Sequence, residues 1–374
     1  MRLFYLILIL LPVNLAKHIP LVSSYVSGIK VDYLIPALYL TDILILCLLI
    51  FYKGSTLVKK LWPLLLLLPS VIFAASPIPA LYKLIKLVEF GLFWFWLKAN
   101  RPKISPNLVA KSLSFAIIFQ SLLSLAQWFK QSSVFGYLFF GEQPFNQATA
   151  NIDRIVWLDG SLKIPPLGTF PHPNVLAAFL ILSLPYIYQH LSNKSLKIFT
   201  LILGLITLFL TFSLSTWLAG LLLVIPWLLS QHFSKIRAYV ISLGLILIVL
   251  SLATRFSFLA PPSSFTRRSQ LAQIAVKMIQ TKPLAGIGLN NFTISMDQFG
   301  YVTSTTRFFQ PVHNLFLLIL AETGILGLIG LLLIATQIIK LNLSLAIILF
   351  LGLFDHYFLT LQQGLLLLTL FTAL

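Results

Sequence analysis

Long apolar runs, broken by short polar or basic stretches, recur along almost the whole chain, as in Leu64–Leu68 and Leu201–Phe212. The runs are continuous and do not alternate residue by residue. They therefore predict helices and not the strands of a membrane barrel. About twelve spans follow, near 3–16, 33–52, 61–77, 80–98, 107–129, 173–191, 196–213, 215–231, 236–253, 313–335, 342–354 and 357–374. The first and eleventh are short, so the expected count is ten to twelve. The fold class expected is all-α: a polytopic membrane protein, 1–374, forming one integral membrane domain.

Two long polar segments interrupt this pattern, 130–172 and 254–312. The short loops on one side hold Arg2, Lys53, Lys59, Lys60, Lys98, Arg101, Lys103, Lys111, Lys194, Lys197, Lys235, Arg237 and Lys340, with no Asp or Glu among them. Such loops stay cytoplasmic. Both termini are then expected inside, with Met1–Ala16 an uncleaved first span because no small-x-small cleavage pattern follows it. Four spans separate the two long loops, so both are expected on the outer face, together with the Asp355-His356 turn.

Composition supports the membrane reading. The 374 residues are 59% hydrophobic and 9% charged, against about 25% charged in soluble domains. The net charge of +17 lies mainly between apolar runs. It reads as topology-setting charge and not as a nucleic-acid footprint. Cys47 is the single cysteine, which excludes an intramolecular disulfide.

The first long loop is rich in Asn, Gln, Gly and Pro and contains Arg154 and Trp157. Such a loop suits carbohydrate, although an ordinary solvated loop has the same composition. It ends in Pro171-His172-Pro173-Asn174, a natural helix start, where His172 and Asn174 are candidate substrate contacts. In the second loop, Arg255 precedes Pro261-Pro262. Ser263, Ser264 and Thr266 offer helix-capping chemistry. Leu271, Ile274, Ala275 and Met278 recur at helical spacing, predicting an amphipathic helix along the membrane surface that Pro283 ends. Gly286 and Gly288 then form a turn whose backbone can approach a neighbour closely. The pattern lacks the third glycine of a dinucleotide fingerprint.

His313-Asn314 opens the tenth span. Glu322 is nine residues on, roughly 13 Å along a helix, and a carboxylate there marks a buried partner or a functional role. Gly324, Gly327 and Gly330 read as a packing stripe. Lys83, Lys86 and Glu89 fall inside the fourth span, where pairing at helical spacing accounts for them.

The chain has no HExxH, no cysteine cluster, no Walker A motif and no Asp-x-Asp pair, and only nine acidic residues. No metal site or cofactor is expected. Arginine to bind phosphate and histidine to take a proton remain on the outer face. Group transfer there requires a donor already activated in the membrane. A polyprenyl-pyrophosphate-linked glycan fits, with a glycolipid, glycan or protein acceptor. Composition alone also allows a transporter of such a lipid; a non-catalytic membrane glycan-assembly protein is the third alternative.

Arg268 followed by AxxMIxxxPLxGIGLxNF, then HN-x-F-x-L-x-L-x-E-x-G-x-x-G, resembles the O-antigen ligase and Wzy-type polymerase superfamily over about 211–335. GTFPHPNVLAAFL upstream is also similar. The resemblance implies a metal-independent, inverting glycosyltransferase of the bacterial cytoplasmic membrane, using undecaprenyl pyrophosphate as carrier in cell-envelope polysaccharide or lipopolysaccharide synthesis. His313 matches the family's general base, Arg268 a pyrophosphate contact and Glu322 the helix carboxylate, orienting or structural. Asn314, Asp355 and His356 are further candidates for substrate binding, with a polar helix-ending turn as the alternative for the last two. One departure is Leu214, which stands where the family has a hairpin arginine; Arg255, Arg154 or Arg307 are the cations that could replace it.

Overall fold

The computed structural model describes residues 1–50, 59–150, 152–157, 159–234, 236–237, 240–245, 262–300, 309–338 and 342–374. Arg255 and Arg307, the basic residues Lys53, Lys235 and Lys340, and most of the span expected at 236–253 lie outside them. The described chain is mostly helical and divides into two compact units. The first comprises Met1–Leu15, Pro102–Ala260 and Leu341–Leu351; the second comprises Ala16–Arg101, Pro261–Lys340 and Gly352–Leu374.

In the first unit, the Pro106–Lys130 helix lies against the Arg2–Leu10, Pro173–His190 and Lys194–Leu210 helices. Ser105 caps its start through a 3.4 Å bond from the Leu108 amide, and a left-handed Gln131 ends it. The expected first span is shorter than 3–16. Its helix stops at Leu10, two residues before Pro12, which disfavours helix at the residue before it. The long helix buries a polar stripe, Gln120, Ser124 and Gln127. Gln127 Oε1 accepts from the Leu167 and Gly168 amides at 3.0 and 2.8 Å. Gln120 Oε1 accepts from the Thr169 amide at 2.9 Å. The inner part of the first long loop, 164–170, is therefore buried and is no ordinary solvated loop. A short antiparallel pair, Ile155–Val156 with Leu162–Lys163, forms its outer part.

Two small hairpins that the helical reading did not anticipate open the second unit. Ala16–His18 pairs with Ala37–Tyr39, and Tyr25–Val26 with Ile29–Lys30. The tighter turn has positive φ at Ser27 and Gly28, as two-residue hairpin turns require. The span expected at 61–77 is a 3-10 stretch, Trp62–Leu67, continued by a short α-helix, Leu68–Ile72. Pro63 and Pro69 lack the amides a long α-helix needs. The Leu315–Ile338 helix lies along this stretch. Gly330 provides the room, because a Cβ there would come within 2.6 Å of the Pro63 carbonyl.

Gly324 does something other than line a packing stripe. Its φ of 62° and ψ of −166° break the helix, in a region almost confined to glycine. The break exposes backbone groups that the 283–288 turn satisfies. Ile287 and Gly288 donate to the Ala321 and Glu322 carbonyls at 2.9 and 3.0 Å, while Ile325 and Leu326 donate to Pro283 and Leu284 at 2.8 and 3.1 Å. Non-helical backbone inside a span is tolerated where protein buries it. The close approach predicted for Gly286 and Gly288 is realised at both: a Cβ on Gly286 would overlap Glu322 backbone, and one on Gly288 would come within 2.7 Å of the Ala74 Cα.

Among the described residues, two helices are long and apolar enough to cross a membrane, Pro106–Lys130 and Leu315–Thr336. Shorter apolar helices stand at Leu40–Ile50, Trp62–Ile72, Leu214–Leu229, Leu343–Gly352 and Gln362–Ala373.

Candidate functional site

The second unit gathers five of the residues singled out by sequence. The Pro262–Thr281 helix buries Leu271, Ile274, Ala275 and Met278 and lies against the Leu315–Ile338 helix. The helix is where periodicity puts it. Its apolar face, however, is covered by protein instead of resting on the membrane surface. This leaves Arg268 directed at the 353–356 turn, where its guanidinium donates to the Phe354 carbonyl at 3.1 Å.

Asn314 caps the Leu315–Ile338 helix. Its Oδ1 accepts from the Phe316 and Leu317 amides at 3.0 and 2.9 Å, and its Nδ2 donates to the Leu353 carbonyl at 3.0 Å. One side chain thus fixes the helix start and ties it to the same turn. His313, immediately before the cap, is held over Asp355, with Nδ1 3.6 Å from Asp355 Oδ1. Its Nε2 is 3.1 Å from Gln310 Oε1.

Asp355 is buried, and its Oδ1 also accepts from the His356 amide at 2.8 Å. The His356 ring lies 5.2 Å from that of His313 and edge-on to Tyr33 at 5.5 Å. Its Nδ1 is 2.8 Å from Thr360 Oγ1. Beyond this turn, Lys83 donates to the Leu359 carbonyl. Lys86 pairs with Asp42 and with Glu89, the latter at 3.5 Å, and donates to Gln362 at 3.1 Å. Asp42, Lys86 and Glu89 thus form a buried ion-pair cluster, while Lys83 bonds the backbone just beyond the turn that carries Asp355 and His356.

Glu322 engages a different neighbourhood. Its Oε2 accepts from the Asn290 amide at 2.9 Å and its Oε1 from the Phe292 amide at 3.2 Å. Both bonds hold the turn that follows Gly288.

The remaining candidates belong to the first unit. His172 caps the Pro173–His190 helix, with Nδ1 accepting from the Asn174 amide at 3.1 Å. Nδ1 is then the acceptor, so Nε2 carries the hydrogen that faces Asp153 Oδ2 at 2.9 Å. Arg154 donates to the Gln147, Thr149 and Ile152 carbonyls at 2.8, 2.9 and 3.3 Å, holding its own loop. Leu214 opens the Leu214–Ala219 helix. Before it, Phe212 stacks on Trp128 at 6.0 Å and meets Trp157 edge-on at 5.9 Å.

Chemically, the second-unit cluster pairs a histidine with a buried carboxylate beside an arginine. His313, Asp355 and His356 are also the described residues spaced to hold a metal ion, since one ligand atom of each lies within 4.8 Å of the others. Sequence motifs gave no sign of that set, because 42 residues separate His313 from Asp355. Gln310 and Tyr33 were likewise missed. Gln310 sits three residues before His313 and was findable, whereas Tyr33 is distant in sequence and carried no signal.

A family model described as O-antigen ligase matches residues 199–332. The matched stretch contains Arg268, His313, Asn314 and Glu322, while Asp355 and His356 fall beyond its end. No curated protein matches the chain.

Proposed function

We propose, from the premise that this chain belongs to the O-antigen ligase family, that it is a membrane glycosyltransferase. The family is one of the bacterial inner membrane. The reaction moves a glycan from polyprenyl (undecaprenyl) pyrophosphate to an acceptor hydroxyl of lipid, glycan or protein on the outer face. Both termini are cytoplasmic, and ten to twelve spans carry the site.

The observation that carries this reading is the convergence of Arg268, His313 and Asp355 on the 353–356 turn. His313 removes the acceptor hydroxyl proton. The freed oxygen pair forms the new bond to the anomeric carbon from the face opposite the leaving group. The anomeric C–O bond breaks, its electron pair leaves with the polyprenyl pyrophosphate, and the configuration inverts. Asp355 holds the His313 ring and offsets the positive charge it gains. Arg268 balances charge developing on the pyrophosphate. Glu322 is a positioning residue for the 288–292 turn.

A lipid-linked glycan transporter is the second reading. Its support is the set of buried charges at Asp42, Lys83, Lys86 and Glu89. Pairing of Lys86 with Asp42 and Glu89, and the Lys83 bond to the Leu359 carbonyl, account for them without a transported ligand.

The test is purified protein in lipid nanodiscs with a polyprenyl-pyrophosphate-linked glycan and acceptor. Wild type forms product at a rate unchanged by a chelator. His313→Ala stays folded in the membrane and forms none. Normal product from that variant removes the catalytic assignment. Surface glycans after gene deletion then separate the subclasses: shortened chains indicate a polymerase, and full-length glycan retained on the carrier indicates a ligase.

A further inference from the structure

The segment Phe135–Gly141, which nothing in the proposed chemistry uses, exposes Phe135, Leu138, Phe139 and Phe140, with Leu138 at 89%. No charged residue occurs from Gln131 to Gly141. A surface turn of that composition in water is unfavourable, yet this one is built rigidly. The buried Glu142 carboxylate accepts from the Val134 amide at 2.7 Å, from Phe135 at 2.6 Å and from Gly136 at 2.8 Å. Gln127 adds a fourth bond at 2.8 Å. On the other side, the Asn14 amide donates to the Phe140 carbonyl at 3.0 Å. Gly141 sits so close to Asn14 backbone that a Cβ would overlap it.

The position of the turn identifies its environment. Phe119 and Lys130 are eleven residues apart on one helix, about 16 Å along the axis. The Phe140 ring meets the Phe119 ring edge-on at 5.2 Å. The chain therefore leaves the helix at Gln131 and folds back down its side. The face it joins is the exposed apolar stripe Leu108, Phe115, Phe119, Leu122 and Phe129, on one of the two span-length helices. Phe139 continues this surface from Phe140, with ring centroids 6.3 Å apart, and Phe135 stacks on Phe139 at 5.1 Å.

We infer that Phe135–Gly141 is a preformed aromatic wedge inserted among the acyl chains of the bilayer, continuous with the lipid-facing side of the Pro106–Lys130 helix. Burial of four apolar side chains in lipid is the compensation for their exposure, and the buried Glu142 bonds hold the wedge in shape before it enters. The inference is independent of the glycan-transfer reading.

The test uses Leu138→Cys in a Cys47→Ser background, with Ser161→Cys as an aqueous control, reconstituted in phosphatidylcholine vesicles. A membrane-impermeant maleimide is supplied to both sides. The thiol at 138 is expected to react at least tenfold more slowly than that at 161 in vesicles, and at a comparable rate in detergent after the lipid is removed. A bimane label at 138 should be quenched by doxyl-labelled phospholipid. Equal labelling rates with no lipid quenching overturn the inference. So does oxidative cross-linking of position 138 between two copies at low protein-to-lipid ratio, which would give the surface to a dimer. Phe139→Cys repeats the measurement should the first variant fold poorly.

Discussion

Asp355 reaches toward His313 from a turn 42 residues further along the chain, and places a carboxylate oxygen 3.6 Å from Nδ1. Among the described residues that nitrogen is buried and makes no hydrogen bond. A modest tightening would complete a carboxylate–imidazole pair, as catalytic hydrogen bonds often do on substrate binding. His313→Ala is expected to lower kcat by about 10²–10⁴-fold, the usual share of a general base. Asp355→Asn keeps the shape, removes the charge and should cost less. The double variant should be no slower than His313→Ala alone, because residues acting as a unit are not additive. Additive losses in single-turnover assays would separate the two residues.

Arg268 is already bonded to the turn through the Phe354 carbonyl, and its remaining N–H donors are what a pyrophosphate would engage. Arg268→Lys keeps the charge and loses the planar fork. The expected result is a rise of about 10- to 100-fold in KM for the lipid-linked donor, corresponding to about 1.5–3 kcal/mol for a charge-assisted bond. KM for the acceptor should be unchanged. Donor and acceptor titrations of the reconstituted enzyme distinguish the two.

Helix positions were largely legible in the sequence because apolar runs and their proline or basic ends are local signals. The Pro77–Asn100, Pro106–Lys130 and Pro173–His190 helices stand where their patterns put them. What the sequence hid depends on distant partners. Gly324, Gly327 and Gly330 share one spacing, yet Gly324 breaks the helix because the 283–288 turn is there to pair with it. The apolar face of Leu271, Ile274 and Met278 has the same pattern whether lipid or protein covers it. Of the candidate site, His313 and Arg268 stood out through motif. The meeting of Arg268 with Phe354, and of His313 with Asp355, depends on chain folding that no local pattern encodes.

Glu322 and Gly324 should behave as structural partners. Glu322→Ala leaves the Asn290 and Phe292 amides without their acceptors, at about 1–3 kcal/mol for each buried group. Glu322→Gln keeps oxygen for one of them and should be milder. Gly324→Ala meets both a left-handed backbone and the Leu284 carbonyl. Thermal unfolding in detergent should rank the variants with Glu322→Gln nearest wild type. An unchanged melting temperature for Gly324→Ala would contradict the observed helix break.

Acid should loosen the first loop through Glu142. Burial opposes ionisation of this carboxyl, but bonds from Gln127 and the Val134, Phe135 and Gly136 amides outweigh it and hold the pKa below the ordinary value. A carboxyl depressed in the folded state contributes stability above its unfolded pKa, about 4.3. That contribution declines as the pH falls below this and through the lower folded value. Wild type should therefore be more stable than Glu142→Gln at pH 7, and the gap should close on acidification from about pH 4.5 downward. Melting temperature against pH for both proteins provides the measurement. A gap independent of pH would show that charge is not what these bonds require.

Lys86 is the cation on which the buried cluster of the second unit depends. It pairs with Asp42 and Glu89 and donates to Gln362, while Gln362 in turn donates to Thr41 at 2.9 Å and to Asp42. Lys86→Met should leave two carboxylates facing each other without a countercharge. Breaking a buried pair in this way costs about 3–5 kcal/mol, enough to reduce accumulation in the membrane. Replacing both partners, Lys86→Met with Asp42→Asn, removes one charge of each sign and should recover much of the loss. The recovery is the discriminating quantity, because a lysine important only for packing would give the same instability with Asp42 intact or neutral. Melting temperature and membrane yield of the two single variants and the double variant form the cycle that measures it.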